Sequence, residues 1–341
     1  TANLYRPAGV TGRLPAVLYV CGHATVKEDG IAYASKVNYR RHPVWFARHG
    51  YVSLILDTLQ LGEIEGLHHG TYREGLWWWI NRGYTPAGVE AWNAIRAVDY
   101  LQSRADVDPE RIAMTGRSGG GITTWWAGAL DERITVAVPV AGLADLHSHI
   151  VDGVIEGHCD CMYQINLHRW SFSTLAALLA PRPLLLANSD KDPIFPLDGV
   201  LRIHRGLRHM YEQVYDAREQ LALTITPGPH QDTQEIRVPA FHWIDRWLKG
   251  EEQLIRQPAT PLFTPQELKV FDQIPEDQLN TRISELFVPK YEAQAPPSSL
   301  EEWGVQRNRW IRELEARPFS GWPRRPGPLH TEEIAGAELK G

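Results

Sequence analysis

The sequence predicts an α/β fold, a mostly parallel sheet flanked by helices, followed by a Pro-rich C-terminal extension. Two observations carry this. Up to about residue 250, short apolar runs alternate with segments of helical period, the pattern left by βαβ crossovers. Beyond it the rhythm stops, and the last 91 residues hold 11 of the 24 prolines. Residues 1–250 are therefore read as one α/β domain. Residues 251–341 are read either as an extension packed around it or as a linker towards a further domain, alternatives that composition does not separate.

The elements follow in order. Leu14 to Val20 is a buried strand ending in Cys21-Gly22-His23, and Pro43 to His49 is a short helix stopped by Gly50. Tyr51 to Leu56 is a strand closing on Asp57. Pro86 to Arg104 is a helix, with Pro at its start and Val89, Trp92, Ile95, Val98 and Leu101 near helical spacing. Arg111 to Thr115 is a strand, Gly119 to Leu130 a helix and Ile134 to Val140 a strand. The rhythm repeats with a helix at Ser173–Ala180, a strand at Pro183–Ala187, a helix at Asp198–Tyr211, a strand at Leu221–Thr226 and a helix at Asp232–Lys249. Leu300 to Leu314 forms one amphipathic helix. Two long segments, 58–85 and 143–171, interrupt this order. Both follow strands and should emerge at the carboxyl edge of the sheet, where such folds bind ligands.

Composition narrows the function. With 341 residues, 43% of them hydrophobic, the chain has ample material for a packed core. A net charge of −6 offers no basic field for nucleic acid. No run of 18 apolar residues exists, so no membrane span is expected. Three cysteines cannot make a disulfide framework. The chain opens at Thr1 without the marks of a signal peptide, which is read as absent or removed. Thirteen tryptophans stand out, because displayed aromatic surface is costly unless something stacks on it.

The chemistry centres on Gly116-Arg117-Ser118-Gly119-Gly120, a G-x-S-x-G directly after a strand and before a helix. A serine on so sharp a turn is held in a strained conformation with its hydroxyl exposed, and small residues at −2 and +2 let the turn close. The turn aims the Gly119 N–H and the helix N-terminus at the space where negative charge would develop. A serine needs a base, and the base needs an acid to hold its tautomer. Both appear in chain order after later strands. Asp192 lies in a loop closed by Pro193 and Pro196, with Asp190 as the fallback, and His230 lies in the Pro227-Gly228-Pro229-His230 loop.

These features resemble the α/β-hydrolase superfamily over about residues 3–250. Within it the chain is most similar to the acetyl xylan esterase and dienelactone-hydrolase-like branch, close to prolyl-oligopeptidase-type catalytic domains. The resemblance implies a serine esterase in which Ser118 attacks, His230 shuttles the proton and Asp192 orients His230. It also implies that the backbone N–H of His23, after the first strand seen here, joins that of Gly119 as an oxyanion donor. Dienelactone hydrolases use a Cys nucleophile, so Ser118 favours ester hydrolysis. Asp57, Gly62 and Glu63 look like the family's structural turn after the preceding strand. The expected reaction is deacetylation of a xylan-like polysaccharide, without cofactor or metal. The rivals are uronate methylester hydrolysis (glucuronoyl or pectin type) and a non-catalytic carbohydrate-binding role. With no propeller-like gate ahead of the domain, a peptidase is not the expectation. A polymeric substrate implies an extracellular or periplasmic location.

Four further residues are candidates for substrate contact. Arg117 either binds a substrate carboxylate or lies salt-bridged under the turn. Trp78, with Trp77, Trp79 and Trp170, forms either a platform for sugar rings or plugs over the core. His158, in His158-Cys159-Asp160-Cys161, is read as lining the mouth of the site, since one residue between cysteines is too tight for the usual zinc spacing.

Overall fold

A computed structural model describes residues 1–154, 160–293, 295–321, 327–328 and 331–332. Its strands are β1 (Ala2–Tyr5), β2 (Leu14–Val20), β3 (Lys27–Glu28), β4 (Ile31–Ala32), β5 (Val52–Leu56), β6 (Val107–Arg117), β7 (Val136–Val140), β8 (Leu184–Ser189) and β9 (Leu221–Thr226). The helices are α1 (Ser35–Tyr39), α2 (Arg41–Arg48), α3 (Thr71–Glu74), α4 (Trp78–Arg82), α5 (Pro86–Ser103), α6 (Gly119–Leu130), α7 (Phe172–Ala176), α8 (Leu197–Arg208), α9 (Gln234–Lys249), α10 (Pro265–Leu268), α11 (Ile283–Leu286) and α12 (Leu300–Ala316). Seven strands form one sheet in the order β1-β5-β2-β6-β7-β8-β9, parallel throughout except for β1, which runs antiparallel to β5. β3 and β4 make a separate hairpin.

The apolar runs of the central strands are continuous because both faces are covered. Val17 and Ala113 point into one layer with Trp45 and Phe46 of α2 and Phe241 and Ile244 of α9. Their neighbours Leu18, Ile112 and Met114 point into the other, with Ala97 and Val98 of α5. Trp125 and Trp126 of α6 stack at 4.1 Å and extend that second layer over Phe172. Tryptophan here is mainly core material, since Trp45, Trp79, Trp125, Trp126 and Trp243 are all buried.

Two compact units result. The larger comprises Thr1–Asn166 and Trp170–Lys290, and the smaller Leu167–Arg169 and Tyr291–Gly341. The sheet domain thus reaches Lys290 instead of stopping at 250. Ala259 is buried with Trp45 and Trp243. Leu268 is buried with Tyr5 and Val44, and the amides of Val270 and Phe271 donate to the Glu63 carboxylate. The smaller unit contains α12, capped by Ser299, whose side chain accepts from the Glu302 amide. No helix among the described residues is long and apolar enough to cross a membrane.

Candidate active site

β6 ends at Arg117 and α6 starts at Gly119, leaving Ser118 as the single residue of the turn. Its backbone sits at φ 59°, ψ −123°, a conformation L-residues avoid and one held only where the surroundings fix it. Two hydrogen bonds do so. Ser118 N–H donates to the Val140 carbonyl at 2.9 Å, and the Ser118 carbonyl accepts from Ile122 N–H at 2.9 Å in the first turn of α6. The flanking glycines are steric requirements, because a Cβ on Gly116 or Gly120 would lie 2.2 Å or 2.0 Å from the Val20 carbonyl oxygen. β2 therefore runs directly against the turn, and its end delivers Gly22 and His23 there. A Cβ on Gly22 would lie 3.1 Å from Ser118 Cβ, and one on Gly119 would lie 2.9 Å from the His23 ring.

The acid and the histidine follow on the next strands. Asp192 is buried in the loop after β8. Its Oδ1 accepts from the amides of Ile194 and Phe195 at 2.9 and 3.0 Å. Its Oδ2 accepts from Nδ1 of His230 at 2.6 Å. A proton on Nδ1 leaves Nε2 with its lone pair, the form a general base needs. The His230 loop, which follows β9, is fastened to the acid loop at several points. Ser189 Oγ donates to the Pro229 carbonyl at 2.8 Å. Lys191 N–H donates to the Gly228 carbonyl at 3.0 Å. Gly228 N–H donates to Asp190 Oδ1 at 2.8 Å. The fallback acid Asp190 thus braces the histidine loop, while Asp192 holds the histidine itself. Among the described residues no hydrogen bond joins Ser118 to His230.

A model of the prolyl oligopeptidase family matches residues 71–249, more than half of the chain and the span from the segment before α5 to the end of α9. The chain belongs to that family. This member has the α/β-hydrolase fold and is a hydrolase. It is 29% identical over 252 residues to the Bacillus subtilis protein named "Putative hydrolase YtaP", across 72% of this chain and 83% of that one. It is 22% identical over 252 residues to dipeptidyl-peptidase 5 of Porphyromonas endodontalis, of which it spans only 34%. Among solved structures, the methylesterase BT1017 superposes with a TM-score of 0.62 at 23% identity, covering 90% of this chain and 64% of that one. A glucuronoyl esterase from Solibacter usitatus superposes at 0.53 with 19% identity, covering 72% and 77%. These structural likenesses concern the fold.

The remaining candidate residues of this prolyl oligopeptidase relative separate. Arg117 is 8% exposed and lines a small cavity with Tyr19, His42, Asp232 and Arg237, on the α2 and α9 side of the sheet. It lies under the turn, and its Nε and Nη2 have no hydrogen-bond partner among the described residues. Asp232 in that cavity bonds His42 at 3.0 Å and Arg237 at 2.9 Å. Burial works against its charge, yet the neighbouring His42 and Arg237 hold its carboxyl far below the ordinary range. Burial pushes the phenol of nearby Tyr39 up to about 12, against the opposing charge of Arg117. Trp79 is 1% exposed and packs edge-on to Tyr84, so this member of the tryptophan run is a plug. Trp78, 40% exposed, and Trp170, 46% exposed, remain at the surface. His158 and Cys159 lie outside the described residues. Asp57 and Glu63 are structural, since the Lys36 ammonium is fully buried between them at 3.3 and 2.5 Å. Sequence reasoning missed His68 and Glu90, which lie beside His23 and Cys161. These residues come from four separate segments, and no local motif marks them.

Proposed function

We propose that this protein is a serine carboxylic-ester hydrolase acting on carbohydrate esters. The observation that carries the reading is the strained Ser118 turn, followed on successive strands by an Asp192–His230 pair bonded at 2.6 Å. Ser118 Oγ attacks the ester carbon as His230 Nε2 takes its proton, and Asp192 stabilises the imidazolium. The amides of Gly119 and His23 receive the oxyanion, the first with the field of the α6 N-terminus behind it. Collapse expels the alcohol, which takes its proton from His230. Water, deprotonated by His230, then attacks the acyl-enzyme, and the acid leaves as Ser118 is reprotonated.

On the substrate, the names of the similar structures support an alkyl ester of a uronic acid over the acetyl ester of a xylan-like polymer. Either polymer would place the protein in an extracellular or periplasmic setting. With Arg117 buried, exposed Trp78 and Trp170 are the better candidates for meeting sugar rings. A fluorophosphonate probe should label the protein, and Ser118→Ala should abolish both labelling and ester turnover while leaving the melting temperature in place. Labelling that survives Ser118→Ala refutes the nucleophile, and absence of labelling in the wild type favours a binding-only protein. Methanol release from methyl-esterified uronans against acetate release from acetylated xylan decides the ester.

A further inference from the structure

Beside the oxyanion loop, outside the proposed triad, four side chains converge that have no part in the ester chemistry. They are His23 after β2, His68 in the loop after β5, Glu90 on α5 and Cys161 in the turn 160–162. One ligating atom from each lies within 4.8 Å of the other three. His23 Nε2 is 3.0 Å from His68 Nε2 and 3.4 Å from Cys161 Sγ. His68, Glu90 and Cys161 are buried.

We propose that this cluster is a four-ligand site for a zinc-type divalent cation. The edge lengths fit: bonds of about 2.0–2.1 Å to nitrogen and about 2.3 Å to sulfur give tetrahedral edges of about 3.3 Å (N–N) and about 3.6 Å (N–S). The two measured edges lie within a few tenths of an ångström of these values. The charges also fit. A dication with one thiolate, one carboxylate and two neutral imidazoles sums to zero, which a buried site tolerates and two buried anions alone do not. Mixed N/S/O donors are the borderline-soft set that selects zinc over magnesium or calcium. Supporting contacts surround the ligands. Thr123 Oγ1 lies 2.9 Å from Glu90 Oε2, and Asp160, next to Cys161, accepts from the Thr71 amide at 2.7 Å. Four protein ligands close a tetrahedron, so the cation acts as a clip tying four separated segments together and leaves no coordination position for substrate.

The test reads metal, not turnover, so it fails independently of the esterase reading. The intact chain, demetallated and then equilibrated with Zn2+, should retain about one zinc per chain. Co2+ in its place should give a thiolate-to-cobalt charge-transfer band and the intense visible bands of tetrahedral cobalt. Cys161→Ser should abolish the charge-transfer band, whereas Cys21→Ser, Cys159→Ser and Ser118→Ala should keep it. His68→Gln should weaken Co2+ binding at least about tenfold. Should a ligand variant fail to fold, the wild-type cobalt spectrum still decides. Substoichiometric zinc, octahedral cobalt bands, or a charge-transfer band surviving Cys161→Ser would each overturn the site.

Discussion

Replacing Gly22 by Ala tests the proposed oxyanion loop where it is tightest. A Cβ there would lie 2.3 Å from the Arg117 carbonyl oxygen, 2.7 Å from Tyr39 Oη and 3.1 Å from Ser118 Cβ. Ordinary contact starts near 3.4 Å, so the loop and the turn must part by about 1.1 Å. Because the obstructing atom is backbone at the end of a central strand, relief falls on the Gly22–His23 loop, and the His23 N–H moves with it. A displacement of about 1 Å at a reacting centre costs on the order of 100-fold in rate. Losing one oxyanion donor costs about 100- to 1,000-fold, or about 2.7–4 kcal/mol. The expected result is therefore a fall in kcat of that size with KM little changed. Overpacking should lower stability by a further ~1–3 kcal/mol. Steady-state hydrolysis of a p-nitrophenyl ester by variant protein shown to be folded by circular dichroism makes the measurement. A folded Gly22→Ala enzyme with kcat within about threefold of wild type would refute the placement of the donor, since the clash cannot be relieved without moving that loop.

The remaining predictions address the other elements. Asp192→Asn should keep an acceptor for the Ile194 and Phe195 amides but favour the wrong tautomer of His230, lowering kcat on the order of 10⁴-fold at nearly unchanged melting temperature. Ester turnover with parallel calorimetry checks both halves. Trp79→Ala should destabilise the fold by ~3–5 kcal/mol through the cavity it leaves. Trp78→Ala should cost less than about 0.5 kcal/mol and instead raise KM for a sugar ester, a contrast that urea unfolding and kinetics resolve. Burial pushes the Glu63 carboxyl up, but the Lys36 ammonium and the Phe271 and Val270 amides outweigh it and hold the group below its ordinary pKa of 4.5. Its stabilisation is therefore complete above that value and is lost as pH falls through the lowered one. Glu63→Gln should cost ~3–5 kcal/mol near neutrality by leaving Lys36 poorly paired, and the wild-type and variant unfolding curves should converge on acidification.

The parallel core was legible because most of its strands carry short apolar runs, and several are followed by helices with clear stops, such as Gly250. The serine turn was legible for a different reason: β2 passes so close to it that residues 116 and 120 must be glycine, and that requirement is written into the local sequence. Asp192 and His230 could be ordered by position after β8 and β9. The two prolines of the loop already favoured Asp192 over Asp190, and the folded chain adds the contacts across the two loops, which no local sequence displays. Other features had no local signal. β1 is four residues long, too short for alternation to mark it. Trp77, Trp78 and Trp79 are chemically identical, and it is the phase of α4 that turns Trp79 against Gly70 and Tyr84. Residues 251–290 hold too few apolar side chains to announce a packed segment. Yet Ala259 and Leu268 are buried, and the Glu63 carboxylate ties the backbone at 270–271 to the sheet domain.

His23 shows why a residue's place in a motif and its side-chain environment have to be argued separately. Its backbone position follows from Gly22 and the approach of β2 to the turn, and the proposed oxyanion role uses only its N–H. Its ring lies against Gly119 and in contact with His68 and Cys161, residues 45 and 138 positions away. An oxyanion donor needs only the amide, so the resemblance that located the loop placed no constraint on an imidazole there. The imidazole is accounted for by a second requirement, a ligand set that closes only when four distant segments are in place. If both readings hold, the clip fixes the loop that carries the amide. Loss of Cys161 would then act on turnover through the position of His23, and loss of Ser118 would leave the clip intact.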